Sequence, residues 1–250
     1  MIVRLLIILS GWIAMLILAS PACAQAPTTI GGDGFLAGVT SGVYPLASYG
    51  YYIFVPADSG TSYQVIGIYN VANSSGSYSY TPTSSSTLTI NAIDSVIGPL
   101  VFSATLSSAS SGIFYETATS YPSANQSGNF GFSSINAPSS IAGKTFTCTI
   151  VSGASPFYTS GSYTITIASS GNTYTVSTGQ SGTYSYSTLN RSTGMLQMND
   201  SVTGTTTAYF GFSSGTGGGF AIKNATGGYQ VGNFALSTTT LSPIENRTIG

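Results

Sequence analysis

Two aspartates occupy equivalent places in the sequence and are the first candidates for chemistry. Asp94 begins the run Asp-Ser-Val-Ile-Gly, and Asp200 begins Asp-Ser-Val-Thr-Gly 106 residues later. Two facing carboxylates could serve as the acid and the nucleophile of a glycosidase. These two lie in separate copies of a repeat, so each copy holds one acid where two are needed. We therefore predict that each aspartate caps a turn by accepting hydrogen bonds from backbone N–H groups.

The chain contains no histidine, which excludes several common kinds of active site. Ser-His-Asp triads, Cys-His dyads and imidazole metal ligands all need that side chain. A zinc site would be left with one thiol and scattered carboxylates. Calcium could use Asp94 and Asp200 with Asn91 or Asn199, but the sequence has no D-x-D-x-D-G loop. We predict no catalytic residue, no metal ligand and no cofactor-binding residue.

Cys148 is the cysteine that remains after the predicted loss of an N-terminal segment containing Cys23. A reactive thiol needs a cationic neighbour to lower its pKa, and Lys144 on the same strand face is the candidate. The alternation places Cys148 on an apolar face with Phe146 and Ile150. We therefore predict a buried, unreactive thiol, and a single cysteine cannot form an intramolecular disulfide.

The tyrosines are the remaining candidates, because each offers a flat apolar ring and a hydroxyl to a sugar or a partner protein. Tyr51 and Tyr52 are adjacent in a predicted strand, so one of them should point outward. Together with Tyr49 they are the candidate surface-binding residues. The segment from Tyr49 to Phe54 is the predicted exposed aromatic patch.

These candidate residues lie in a sequence that consists of two similar copies. The matching segments recur in the same order, 104 to 106 residues apart. Ordered matches at nearly constant spacing indicate a duplication, and each copy has an ordinary domain size. The segments begin at Leu36, Ser75, Asp94, Gly112 and Gly128, and return at Ile141, Ser181, Asp200, Gly218 and Gly232.

The first residues are typical of a secretory signal. Arg4 precedes an apolar run from Leu5 to Ala19, and Ala22-Cys23-Ala24 offers small residues for cleavage before Gln25. The run is about 15 residues, short of the roughly 20 that span a membrane. We predict a secreted or cell-surface protein; an uncleaved N-terminal anchor is the alternative. The predicted organisation is a signal peptide at 1–24, a flexible leader at 25–35, β domains at 36–135 and 136–240, and a loose tail at 241–250, with no transmembrane helix in the mature chain.

Charged residues make up only 4% of the chain, where about 25% is usual. After the predicted signal, four basic and six acidic side chains leave a net charge of −2. The sequence has no basic patch, which argues against nucleic acid as a partner. A surface of Ser, Thr, Asn, Gly and Tyr gives little charge repulsion between copies, so it tolerates self-association.

Apolar and polar residues alternate through most of the chain, which predicts antiparallel strands with one buried face. Eight short strands joined by tight turns are predicted in each copy. Closing eight strands into a small barrel would remove the exposed edges, and a two-sheet sandwich is the alternative. The predicted fold class is all-β, with two tandem antiparallel eight-stranded meander domains.

The second copy carries motifs that resemble a known kind of repeat. These are Ile141-Ala142-Gly143-Lys144-Thr145-Phe146, Ser160-Gly161-Ser162-Tyr163-Thr164-Ile165, Gly182-Thr183-Tyr184-Ser185-Tyr186 and Asp200-Ser201-Val202-Thr203-Gly204. It is similar to the Gly-Thr-Tyr-rich tandem β-repeats of secreted and surface proteins of Gram-negative bacteria. The first copy matches more loosely, with Val39 in place of Lys144 and a departure near Pro99. The motifs build turns and strands, so the resemblance implies a fold and a location and carries no established activity.

These observations favour a secreted, non-enzymatic structural or adhesive module that binds an extracellular protein or glycan through its tyrosine-bearing surface. A carrier of a small apolar ligand in a barrel interior is the alternative, and an unfilled interior would distinguish it. The missing histidine and the unpaired acids argue against an enzyme. A single outer-membrane barrel of sixteen strands is disfavoured, because most predicted strands fall short of the usual length of about 9–11 residues.

The duplication predicts that the second copy, expressed alone from Asn136, folds cooperatively. Circular dichroism should show β structure, and thermal melting should give one sharp transition. An unfolded fragment beside a sharply melting mature chain would contradict the two-domain organisation.

Overall fold

The computed structural model describes residues 24–200, 202 and 204–238. The predicted tail and the predicted signal peptide, apart from its last residue, lie outside the described residues. Within these ranges the regular elements are all strands. No helix in this part of the chain has the length and apolar character needed to cross a membrane.

Sixteen strands form two closed antiparallel barrels, one from each copy. Barrel 1 consists of β1 (Phe35–Gly42), β2 (Gly50–Pro56), β3 (Ser62–Tyr69), β4 (Ser74–Pro82), β5 (Thr87–Asp94), β6 (Gly98–Leu106), β7 (Ser111–Ala118) and β8 (Asn125–Phe132). Barrel 2 consists of β9 (Lys144–Ala154), β10 (Gly161–Ile167), β11 (Thr173–Val176), β12 (Ser181–Asn190), β13 (Thr193–Asp200), β14 (Gly204–Ser214), β15 (Gly217–Asn224) and β16 (Tyr229–Thr238).

Each barrel closes because its last strand returns to its first. β8 pairs with β1, and β16 pairs with β9. The predicted all-β fold of two tandem eight-stranded domains is therefore confirmed, with closed barrels in place of the sandwich alternative. Two separate rings also replace the disfavoured single barrel of sixteen strands.

Alternating side chains explain why these strands curl around an interior. In β7, Phe114, Glu116 and Ala118 are buried, while Ile113 before them and Tyr115 between them are exposed. Successive side chains of a strand point to opposite faces, so one face lines the barrel. The interior of barrel 1 is aromatic: the Phe35 ring stacks on Phe54 at 4.9 Å and on Phe102 at 5.2 Å between centroids.

The segment before β1 differs from the prediction of a flexible leader. Ile30 is fully buried in the core of barrel 1, and Ala26 packs beside it. The Ala26 amide donates to the Ser85 carbonyl at 2.6 Å, and the Tyr80 hydroxyl donates to the Pro27 carbonyl at 2.5 Å. The glycines and polar residues of this segment suggested a loose chain, but the Ile30 side chain covers one end of the barrel. We call this end the closed end of barrel 1.

The linker closes barrel 2 in the same way. Ile141 is 1% exposed and belongs to the second core, and the Lys144 amide donates to its carbonyl at 3.0 Å. In barrel 1 the Asp33 amide donates to the Ile30 carbonyl at 2.9 Å. Ile141 is thus equivalent to Ile30, and the sequence match of Ile141 with Leu36 was out of register. The first three strands of the two copies are 111 residues apart, because the paired residues Tyr63 and Gly76 of barrel 1 are five residues further apart in sequence than Tyr174 and Gly182 of barrel 2.

The two barrels share a third apolar cluster formed by the outer faces of their strands. Ile53, Val55 and Ile68 of barrel 1 pack against Tyr209, Ala221, Tyr229 and Val231 of barrel 2. The Tyr229 ring stacks on Tyr69 at 4.2 Å. We call this the inter-barrel interface.

Polar contacts border the inter-barrel interface. The Lys223 ammonium donates to the Gly67 carbonyl at 2.7 Å, and the Asn190 amide donates to the Pro56 carbonyl at 3.0 Å. Arg191 forms an ion pair with Asp33. Their fixed geometry sets the orientation of one barrel against the other.

Replacing Ile53 with alanine tests this interface. Ile53 is 5% exposed, so Ile53→Ala should lower the free energy of unfolding by about 2 kcal/mol or more, from lost burial and a residual cavity. Ile113→Ala is the matched control, since Ile113 is 63% exposed on an outer face of the same barrel, and it should change stability by no more than about 0.5 kcal/mol. Urea denaturation measures both, and equal losses would contradict the packed interface.

Candidate functional site

The two aspartates stabilise turns, as predicted. Asp94 Oδ1 accepts hydrogen bonds from the amides of Val96 at 2.8 Å and Ile97 at 3.1 Å. Asp200 Oδ1 accepts one from the Val202 amide at 2.7 Å. The carboxylates lie at the same end of their respective barrels, each at the end of the fifth strand of its ring.

Each aspartate also accepts a hydrogen bond from a tyrosine inside its barrel. The Tyr63 hydroxyl donates to Asp94 Oδ2 at 2.8 Å, and the Tyr174 hydroxyl donates to Asp200 Oδ2 at 3.0 Å. Each ring passes over a glycine: a Cβ at Gly76 would come within 3.0 Å of the Tyr63 ring, and one at Gly182 within 3.2 Å of the Tyr174 ring. The arrangement ties the third strand of each barrel to the fifth.

Cys148 lies in the core of barrel 2 and is fully buried. Burial raises the pKa of its thiol to about 12, against a weaker opposing effect of a hydrogen bond with Tyr163. The Lys144 ammonium, the candidate activating group, instead donates to Thr238 Oγ1 at 3.2 Å. The thiol therefore stays protonated at neutral pH.

The three candidate surface tyrosines lie in three different environments. Tyr49 is 52% exposed and Tyr52 is 4% exposed, with its side chain inside barrel 1. Tyr51 points outward as expected of one member of the pair, but it packs beside Tyr229 of barrel 2 at 5.8 Å between ring centroids. The predicted exposed patch from Tyr49 to Phe54 does not form, because the outer face of β2 is covered by barrel 2 and its inner face is core.

A cavity of about 400 Å³ opens at the end of barrel 1 opposite its closed end. We call this the mouth of barrel 1. The loops after β1, β3 and β5 surround it, and the carboxyl of Glu116 lies at its base with Tyr52 and Gln126. Its apolar lining consists of Leu46, Val65, Val71, Val96, Ile97 and Leu100, among others.

Glu116 is the buried acid of this cavity, with 8% of its surface exposed. Gln126 Nε2 donates to Glu116 Oε2 at 2.5 Å, and Gln126 Oε1 accepts from the Ala47 amide at 3.1 Å. Burial raises the pKa of Glu116, and the charge of Asp94 adds a smaller increase. Hydrogen bonds from Gln126 and Tyr52 act in the opposite direction, and the net pKa is about 7. The group is therefore close to half ionised at neutral pH.

The equivalent end of barrel 2 is nearly filled, with a cavity of about 60 Å³. Strand registers place Ile222 where barrel 1 has Glu116, and Met198 where it has Ala92. Gln230 is retained as the counterpart of Gln126, and it accepts from the Tyr163 hydroxyl at 2.9 Å. Larger apolar side chains thus fill in barrel 2 the volume that barrel 1 leaves open.

The structure brings the cavity residues together from positions that the sequence analysis did not connect. Tyr52 and Asp94 were candidates for other roles, and Glu116 appeared only as one of the six acids. The sequence did contain an indication for Glu116. It lies two residues from both Phe114 and Ala118 in one strand, so the alternation of side chains places it on the same inward face. Ala92 lines a small pocket that adjoins the cavity. Its replacement by Met198 in the second copy becomes apparent only with the strand register.

No metal site accompanies the cavity among the described residues, where no three His, Cys, Asp or Glu side chains cluster. Comparison with known proteins gives no assignment, since no protein-family model and no curated protein matches this chain. The cavity and its residues therefore carry the functional argument.

Replacing Glu116 with glutamine should remove a pH-dependent cost. The pKa of Glu116 is higher in the folded protein than in the unfolded chain, so its contribution is fully present below about pH 4.5 and is lost as pH rises through about 7. Glu116→Gln should match the wild type near pH 4 and exceed its unfolding free energy by on the order of 3 kcal/mol near pH 8. Denaturant unfolding at both pH values measures this. A difference in unfolding free energy between variant and wild type that does not change with pH would contradict the raised pKa of the buried carboxyl.

Proposed function

We propose that the protein binds a small molecule in the mouth of barrel 1, as an extracellular carrier. The observation that carries the proposal is the cavity of about 400 Å³ there, against about 60 Å³ at the same end of barrel 2. Small-molecule sites are concave, mostly apolar clefts of roughly 300–1,000 Å³ with a few converging polar groups. The mouth of barrel 1 fits this description.

The second barrel supports the proposal as an internal comparison. Both barrels retain the tyrosine–aspartate pair and the buried glutamine, which the fold uses. They differ at Glu116 and Ala92, which line or adjoin the cavity. A cavity with a buried acid lowers stability relative to a filled core, so its presence in one copy favours a binding role.

The lining suggests how a ligand sits. Its apolar body would contact Leu46, Val71 and Ile97 near the rim. Its polar group would reach Glu116 and Tyr52, which are 8% and 4% exposed. The closed end of barrel 1, sealed by Ile30, leaves the mouth as the route of entry into that ring.

A structural or adhesive role remains the second candidate, and one feature favours it. The loop between β1 and β2 exposes Val43, Tyr44 and Tyr49, with Tyr44 87% exposed. Exposed aromatic side chains suit contact with a protein or a glycan. This loop also borders the mouth, so both roles would use the same end of barrel 1.

Native mass spectrometry of the mature protein, purified from the culture medium of its own host, tests the carrier role. A bound mass that is lost on denaturation is expected. A bare polypeptide, or a ladder of self-associated copies, would instead favour the adhesive module.

A larger side chain at Ala92, which lines a pocket adjoining the cavity, should reduce occupancy. Ala92→Met places in barrel 1 the side chain that barrel 2 has at Met198, so it should reduce the bound fraction by about ten-fold while preserving the fold. Ile93→Met, on the outer face of the same strand where Ile93 is 64% exposed, is the matched control and should retain full occupancy. Native mass spectrometry of both variants gives the bound fraction, and unchanged occupancy in Ala92→Met would place the ligand elsewhere.

A further inference from the structure

We propose that the ligand of the mouth of barrel 1 is an organic ammonium ion, an apolar body carrying a protonated amine that pairs with Glu116. This inference rests on the proposed function and specifies the class of ligand. It is carried by the distribution of charge around the cavity.

The cavity presents two acids, and they are not equivalent. Asp94 is occupied by the fold: its oxygens accept from Tyr63, from Ser74 Oγ at 2.6 Å and from two turn amides. Glu116 receives hydrogen bonds from the neutral side chains of Gln126 and Tyr52. Neither carboxylate has a positive partner within the cavity lining. Glu116 accepts fewer hydrogen bonds than Asp94, so it is the acid that a bound cation would engage.

Among the described residues, no side chain supplies a cation to balance that charge. Residues 36–135 contain neither lysine nor arginine. The basic side chains in the described part of the chain bond elsewhere: Lys144 to Thr238, Lys223 to Gly67 and Arg191 to Asp33. A buried carboxylate without a positive partner is unfavourable. The neutralising charge must come from a proton or from a bound cation.

An ammonium ion fits the cavity better than a metal ion. Calcium requires six to eight oxygen ligands, and magnesium a nearly octahedral shell. The described residues offer no cluster of three acidic or thiol side chains, and Asp94 is already engaged. The apolar lining instead suits the hydrocarbon part of an organic cation.

Neutral and anionic ligands fit less well. Asp94 and Glu116 would both repel a carboxylate. An alcohol could donate a hydrogen bond to Glu116 but would leave its charge uncompensated. Hydrogen bonds to charged groups are the stronger ones, so an amine should be preferred.

Binding of the amine should release a proton. The titratable groups near Glu116 are Asp94 from β5, Tyr52 from β2 and Tyr63 from β3; burial raises the pKa of both tyrosines, so they stay neutral. Below about pH 7 the Glu116 carboxyl is largely protonated. When R–NH3⁺ binds, that carboxyl loses its proton to solvent and the carboxylate–ammonium pair forms. No other bond is made or broken.

Three ring-matched probes test the inference by isothermal titration calorimetry on the mature protein: 2-phenylethylamine, 2-phenylethanol and phenylacetate. The amine should bind at least about ten-fold more tightly than the alcohol, with phenylacetate weakest. At about pH 6, titrations in phosphate and in MES should reveal release of up to one proton with the amine. At about pH 8 this release should vanish.

Two variants separate the role of Glu116 from a general effect of charge. Glu116→Gln should lose both the amine preference and the proton release. Asp58→Asn also removes one negative charge, at an exposed residue outside the cavity lining, and should keep both. Circular dichroism verifies that each variant is folded.

The remaining outcomes distinguish this inference from the proposed function. Equal binding of the amine and the alcohol, or an amine preference retained in Glu116→Gln, would overturn the ammonium ligand while the cavity remained a binding site. If none of the three probes bound but native mass spectrometry showed a bound mass, the ammonium ligand would be overturned and the carrier role would stand. Failure of the probes with no bound mass would overturn both.

Discussion

Closure of eight strands into a ring fixes a volume that inward side chains must fill. A ring of this size is just wide enough for side chains or one small ligand. Barrel 1 meets this demand with six phenylalanines among its core residues, from Phe35 at the centre to Phe102 and Phe114 around it. The tyrosine–aspartate pairs link the third strand of each ring to the fifth. The candidate binding site lies at the few positions where the filling by side chains fails.

Those positions lie together at one end of one barrel. At the mouth of barrel 1, Ala92 and Glu116 stand where Met198 and Ile222 complete the core of barrel 2. A short side chain leaves space, and an acid makes that space polar at its base. Because the two rings share strand order, the difference in cavity volume follows from side chains and from the longer β3, which has eight residues where β11 has four, without a change of fold.

Much of this architecture was predictable from local pattern, because alternation and turn residues are local properties. The strands, the duplicated turn aspartates and the inward-facing Cys148 followed from it. The burial of Ile30, the contact of Tyr51 with Tyr229 and the offset of 111 residues in the first strands did not. Each depends on which segments meet across a ring or between rings. The cavity was missed for the same reason, since its walls come from seven strands and three loops.

The inter-barrel interface has a consequence for how the sequence can change over time. Because Ile53, Val55 and Ile68 pack directly on barrel 2, opening barrel 1 also exposes Tyr229 and Val231. The contact with the filled barrel 2 therefore helps to stabilise barrel 1, which contains the cavity. After a gene duplication, such coupling increases mutational tolerance in one half: residues around the mouth can diversify toward new ligands while the other half preserves the shape of the molecule.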